Sequence, residues 1–316
     1  MDLPINALLS QALIAVSDDY VRHGADSTGL PTLALWSNVL RPMGDGIDMA
    51  DLPAAARLSK RAVRAAVGAA EKAGWLLRDG SSLRLSPTGD TARERWPSLD
   101  AEVDAALGSE LAPALSELVR QLYLEWPHYP TGYGPADHSI TGGIYSGGGG
   151  LIDSKVPTHA KDWEPILRHD VDGSSVADLP VSALLSQAFV AFAADFEELW
   201  IGGLHLAAIV LRHLPDEGRP VTEIPMLSRL KGDGKSVLER HLYIEILRDP
   251  DNPKVRRAVP TARGRNTRDE YEPTVERVES RWPTKYGADV VSRLRTSLES
   301  LDVDRSLPHS LIDTLT

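Results

Sequence analysis

The chain contains no cysteine. Disulfides, thiolate zinc sites, iron–sulfur clusters and a cysteine nucleophile are therefore excluded, and the absence fits a reducing compartment. Aromatic residues are few, at 6%, although hydrophobic residues as a whole reach 42%. Over 316 residues that supports a core in each of two domains of ordinary size. No apolar run approaches the roughly 18 residues a membrane span needs. The N-terminal apolar stretch is short and follows Asp2, where a secretory leader would carry positive charge. The expectation is a soluble, cytoplasmic protein with no membrane partner. Signatures of catalysis are missing as well. The glycines at 147–150 are not followed by a Gly-Lys-Ser/Thr step, and neither a GxSxG elbow nor an HExxH pair occurs. No catalytic residue, metal or cofactor is assigned.

Positive charge is also in short supply: 34 Lys and Arg face 45 Asp and Glu, a net charge of −11. A nucleic-acid binder usually carries a basic surface, but what decides binding is where the basic residues cluster.

What the chain does have is an internal duplication. Leu3-Pro4-Ile5-Asn6-Ala7-Leu8-Leu9-Ser10-Gln11-Ala12 recurs 176 residues later as Leu179-Pro180-Val181-Ser182-Ala183-Leu184-Leu185-Ser186-Gln187-Ala188. In both copies the motif continues as an amphipathic helix, with Asp19 matching Asp195. Further matches keep the order: Val39-Leu40-Arg41 with Val210-Leu211-Arg212, Ser86-Pro87-Thr88-Gly89 with Thr261-Ala262-Arg263-Gly264, Trp96 with Tyr271, and Gly108 with Gly287. A fixed order with small drifts in offset means that whole units were copied, with short insertions in loops. The division is residues 1–122, a connector at 123–178, and 179–316.

The first copy reads clearly. Helices are expected over about 5–22 and 31–41, with a short one from Asp48 to Ala56. Ser59 is a good N-cap for a helix that Gly74 stops. Trp75–Arg78 and Leu83–Leu85 flank Asp79-Gly80, a hairpin signal. Pro87-Thr88-Gly89 opens a helix through Trp96, and a long helix covers about 100–122. The fold class is mainly α with small β-wings.

Helix, helix, short helix, turn, longer helix and hairpin is the helix-turn-helix-plus-wing order, and it resembles the MarR family. The residues that carry the resemblance are the segment 58–74, the Gly74-Trp75 entry to the hairpin, and the exit Leu85-Ser86-Pro87-Thr88-Gly89. The resemblance covers both copies but not the connector. It implies tandem winged helix-turn-helix domains forming an intramolecular pseudo-dimer, in which helices 5–22 and 181–198 pack with 100–122 and 285–301. It also implies a transcriptional regulator of duplex DNA that responds to a small aromatic ligand. The second copy departs from the pattern at Lys231–His241, where Gly232 and Gly234 interrupt the turn and Glu239 stands where the first copy has Ala65.

The basic residues sit where such a unit would meet DNA. Arg57, Lys60, Arg61 and Arg64 fall within eight residues without an acid, next to Ser59, and Arg78 and Arg84 flank the first wing. The second copy offers Lys235 and Arg240 on its helix and Lys254, Arg256 and Arg257 on its wing, in an acid-free run that continues through Arg263, Arg265 and Arg268. One reading is contact with phosphates and base edges; the other is a solvated helix face. The connector holds eight acids against three bases, and concentrates Trp126, His128, Tyr129, Tyr133, His138 and Tyr145 before its glycines. Plain linkers are poor in aromatics. These residues fit either a ligand pocket or a strap that fixes the two units. His128, Asp137, His138 and His159 match no zinc spacing. The alternative to DNA binding is a winged-helix scaffold that binds or transforms a small molecule at the connector.

Overall fold

A computed structural model of the chain describes residues 3–24, 30–56, 60–107, 110–122, 176, 179–200, 204, 208, 210–224, 238–239 and 242–303. It is mostly helical, with two small antiparallel sheets. The first half runs α1 (Ile5–Gly24), α2 (Leu33–Leu35), β1 (Ile47–Asp48), α3 (Leu52–Ala55), α4 (Lys60–Lys72), β2 (Leu76–Asp79), β3 (Ser82–Leu85), α5 (Pro87–Ala106) and α6 (Leu111–Val119). The second half runs α7 (Val181–Leu199), β4 (Arg219–Pro220), β5 (Ile244–Arg248), β6 (Arg256–Pro260), α8 (Ala262–Asp269), α9 (Tyr271–Tyr286) and α10 (Ala288–Glu299). The sheets have the matching orders β1-β3-β2 and β4-β6-β5.

Several expectations are corrected. After α2 the chain continues as a π turn, Trp36–Leu40, and a 3-10 turn, Arg41–Met43. Asp48 does not open the next helix. It lies in β1, pairs across to Ser82, and accepts from the Ala50 N–H at 2.8 Å. A two-residue strand carries no periodicity, so only its partner reveals it. The break expected near residue 97 comes after Ala106 instead. Pro97 costs α5 one hydrogen bond, but Ala92 and Trp96 before it and Leu99 and Val103 after it are buried along one stripe. That packing carries the helix through.

The amphipathic reading of the repeated motif also changes. Ile5 to Leu13 in α1 and Val181 to Ala193 in α7 are buried at every position, Asn6, Ser10, Gln11, Ser182, Ser186 and Gln187 included. A helix buried all round lies inside a core. Here α1 packs on α7, α6 packs on α10, α1 meets α10, and α6 meets α7. One continuous hydrophobic core draws on both halves. A smaller cluster, including Leu211, Ile224, Tyr243 and Ala258, lies under the second sheet.

The seam between the halves is closed by crossed hydrogen bonds. The Val181 N–H at the start of α7 donates to Asp104 of α5 at 3.0 Å. The Ile5 N–H at the start of α1 donates to Glu279 of α9 at 2.6 Å. Each carboxylate satisfies a first-turn donor of the other half's helix, where negative charge is also favoured by the helix dipole. Asn6 Nδ2 donates to the Tyr271 hydroxyl at 3.0 Å, and its counterpart Ser182 lies 3.4 Å from the Tyr20 hydroxyl. The two carboxylates differ in company. Glu279 is held by Arg295 at 2.6 Å, and Arg295 also donates to Leu3 O at 2.9 Å. Asp104 has no ion-pair partner among the described residues; burial and the neighbouring Asp100 push it up to about 6, against the Val181 bond, which lowers it. Asp100 itself is raised by burial, and it accepts from the Tyr20 hydroxyl at 2.5 Å.

The hairpin exits are built alike. Ser86 Oγ donates to Gly74 O and accepts from the Gly89 N–H, while Thr261 Oγ1 donates to Leu242 O and accepts from the Gly264 N–H. Gly74 ends α4 at φ +79°; its counterpart Leu242 holds φ +60° with 66% exposure. A Cβ on Gly89 would lie 2.2 Å from Trp75 O, whereas one on Gly68, in mid-α4, meets nothing within 4 Å.

Two measurements check this picture. Gly89→Ala should lower the unfolding free energy by about 1–3 kcal/mol, because the backbone must shift. Gly68→Ala should raise it by about 0.5–1 kcal/mol; urea midpoints of opposite sign are expected. A carboxyl whose folded value is raised loses stability as pH climbs through the interval between its unfolded and folded values. Asp104→Asn keeps an acceptor for Val181. It should therefore match the parent near pH 4 and exceed it by about 1 kcal/mol above pH 6, after allowance for solvent screening of a part-exposed group. Thermal melts across that range would read it.

Candidate nucleic-acid interface

Helix α4 lies between α3 and the β2–β3 hairpin. Val63, Ala66, Val67 and Ala70 are buried beneath it, and Arg64 and Gly68 are exposed one turn apart. Arg57, Ser59, Lys235 and Arg240 lie outside the described residues, as do all six connector candidates, Trp126, His128, Tyr129, Tyr133, His138 and Tyr145. Lys60 and Arg61 open α4, but their side chains are likewise outside the described set.

Arg64 lines a cleft of about 350 Å³ together with Asp48, Met49, Ala50, Pro53 and Ser81. The cleft runs from α4 across the β1–α3 turn to the hairpin tip. The one acid among its described lining residues, Asp48, is occupied: it accepts from Ser81 Oγ and the Ala50 N–H, and both bonds hold its carboxyl below the usual range. Arg84 faces solvent on β3, directly opposite Leu77. Neither Arg64 nor Arg84 has an ion-pair partner among the described residues. Arg78, by contrast, is clamped bidentately by Glu71 of α4 at 2.7 and 3.1 Å.

In the second half the acid-free basic run separates into two kinds of residue. Arg257 is structural. It donates to Asp249 at 2.9 Å, to Glu217 O at 3.2 Å and to Gly218 O at 2.5 Å, tying the hairpin to the loop before β4. Arg263 lies over the Tyr243 ring, Arg265 donates to Pro260 O, and Arg268 binds Asp216 and Asp269. Lys254 and Arg256 remain exposed and have no ion-pair partner among the described residues. Arg248, which sequence reasoning missed, joins them: it sits directly across from Arg256. Only the strand register could have found it.

The hydrogen-bond register also corrects Glu239. Leu242 N bonds to Glu239 O as Gly74 N bonds to Glu71 O, and Tyr243 N to Leu238 O as Trp75 N to Ala70 O. Glu239 is thus the counterpart of Glu71 and not of Ala65. It is no acidic intrusion into the helix face.

No family model matches the chain, and no curated protein or solved structure matches it. Among the described residues there is no group of three side chains able to hold a metal ion, and no helix long and apolar enough to cross a membrane. The surface chemistry is that of separated cations on projecting elements beside an ion-paired helical body. On that body Arg93, Arg95, Arg277 and Lys285 each bind a carboxylate. Isolated exposed cations such as Arg281 are ordinary solvated residues.

The split within the second hairpin is measurable. Arg257→Ala removes three hydrogen bonds and should lower stability by about 1–3 kcal/mol. Arg256→Ala should stay within about 0.5 kcal/mol of the parent. Chemical denaturation of the two variants side by side checks both values.

Proposed function

We propose that the chain is a DNA-binding transcriptional regulator. It is built as two winged helix-turn-helix units in tandem, resembles the MarR family, and forms an intramolecular pseudo-dimer through the α1–α7 seam. The observation that carries this reading is that, of the exposed cations without a carboxylate partner among the described residues, most lie on one helix and two hairpins, while Arg120 and Arg281 lie on the helical body. Arg64 lies on the helix before the first hairpin, Arg84 on that hairpin, and Arg248, Lys254 and Arg256 on the second hairpin. Those are the elements such units present to a duplex. Phosphate neutralisation is local, so clustered cations release counterions even from a chain of net charge −11.

The repeated order of sheet and helices supports the pseudo-dimer, as does the crossed capping of α1 and α7. In this reading the seam sets the spacing of the two wings, and a small aromatic ligand that shifted the seam would change DNA affinity.

Titration of the intact chain against mixed-sequence duplex DNA, followed by mobility shift at two salt concentrations, tests the reading. Raising salt from about 50 to 200 mM should weaken binding by roughly a hundredfold or more. Lys60→Ala/Arg61→Ala/Arg64→Ala should lose most of the affinity. If no complex forms even at low salt, the DNA reading falls and the scaffold alternative takes its place.

A further inference from the structure

We propose that the two halves divide the work on DNA. The first half reads sequence through α4, and the second half's wing acts as a sequence-independent clamp on the phosphodiester backbone. The inference rests on the DNA-binding reading above and adds a polarity that two equal half-sites would lack.

The hairpins differ in length and charge. The first closes through a tight turn at Gly80 and Ser81 beside the exposed Asp79, and its Arg78 is taken up by Glu71. Little free positive charge is left at its tip. The second extends through residues 249–255 before the chain returns. At the mouth of that loop Arg248 and Arg256 are directly opposed in register, so their side chains share one face. Like charges in that relation repel. The nearest acid does not relieve them, because Asp249 is occupied by Arg257 and by the N–H groups of Asp251 and Asn252. An anion between the two guanidinium groups would relieve them, and a phosphate accepts from two at once. Lys254 adds a third exposed cation, and exposed Asp251 is the one acid left in the loop.

The clamp is also held in shape. Asp249 N bonds to Val255 O and Val255 N to Asn252 O, at 2.9 and 2.8 Å, and Arg257 anchors the strand to Glu217 O and Gly218 O. A Cβ on Gly218 would come within 2.4 Å of Ala258 O, so the two segments are in close contact. Preorganised cations lose little entropy on binding. On the first half, Gly68 stands on the exposed face of α4 one turn after Arg64, in open space. Glycine there weakens the helix, but its bare backbone permits close approach of the helix to a groove floor.

The test uses the full chain and fluorescence anisotropy on a panel of duplexes of different sequence, each across a salt series. Arg248→Ala/Lys254→Ala/Arg256→Ala should lower the slope of log affinity against log salt by about two to three, at roughly 0.9 per lost phosphate contact. It should weaken every duplex by the same factor. Arg64→Ala should reorder the panel. Arg248→Gln/Arg256→Gln keeps the aliphatic stems, and replaces the alanine variant if that one melts early. An unchanged slope in a folded wing variant, with the parent still binding, overturns the clamp and leaves the DNA reading intact. Reordering of the panel by the wing variant overturns its sequence independence. Absence of any binding by the parent overturns the DNA reading itself, and the clamp with it.

Discussion

The structure depends on two backbone donors that cannot reach water. Helices α1 and α7 begin inside the shared core, with Ile5 and Val181 each about 1% exposed. A helix start leaves four N–H groups without intrahelical partners, and burying one unsatisfied costs of the order of 1–3 kcal/mol. Here the acceptor comes from the opposite half in both cases, Glu279 for Ile5 and Asp104 for Val181. Each half thus supplies a cap to the first helix of the other. The same contact that satisfies the donors fixes how the two helices cross, and hence where the sheets attached to the helical body are held. This also accounts for the persistence of the repeated motif. Ala7 to Ala12 and Ala183 to Ala188, identical in the two copies, are buried on every side of the helix, and none of them faces water.

Within that shared frame the two sides have diverged chemically. Arg295 neutralises Glu279 and reaches on to Leu3 O, whereas no described cation pairs with Asp104. Burial raises the Asp104 carboxyl, so the seam responds to protons at that point. The phenol groups have changed places as well. Tyr20 stacks on Trp96 in one half, and Phe196 meets Tyr271 in the other, so the hydroxyl comes from α1 in the first case and from α9 in the second. Both hydroxyls still find their partner at the same step of the opposite first helix, Ser182 or Asn6. Burial raises both phenols, Tyr271 to about 12. The geometry of the seam is conserved between halves while the atoms that supply it are exchanged.

How far this was legible in the chain follows from the range of the interactions involved. The duplication, the helix ended by Gly74, the Asp79-Gly80 hairpin and the Ser86–Gly89 exit are local, and the residues announce them. The matched pair Thr261–Gly264 repeats the same capping bond, which is why a weak sequence match there was sound. Strand β1 escaped notice because two residues have no period. The break after Ala106 escaped because Pro97 is a strong local signal overruled by packing on both sides of it. Glu239 was misaligned because the chain between Ile224 and Glu239 is shorter than that between Leu52 and Glu71, and only backbone hydrogen bonds restore the count. Arg78 and Arg257 looked like free cations because their partners, Glu71 and Asp249, are fixed by the fold of the hairpins and not by composition.

That last point bears on net charge. A total of −11 argues against a nucleic-acid partner only if the charges are interchangeable, and they are not. Many arginines of the helical body already face a carboxylate and contribute little field at a distance. Among the exposed cations with no ion-pair partner in the described residues, Arg64, Arg84, Arg248, Lys254 and Arg256 project from one helix and two hairpins, whereas Arg120 and Arg281 stand on the helical body. Residues 76–85 carry two arginines against one acid, and residues 244–260 four cations against three acids; on a chain of net charge −11 such local excess of cation orients an approaching polyanion. In the DNA-binding reading the excess of acid thus acts as a selector: it repels the duplex from the body and leaves the projecting elements as the favourable points of approach.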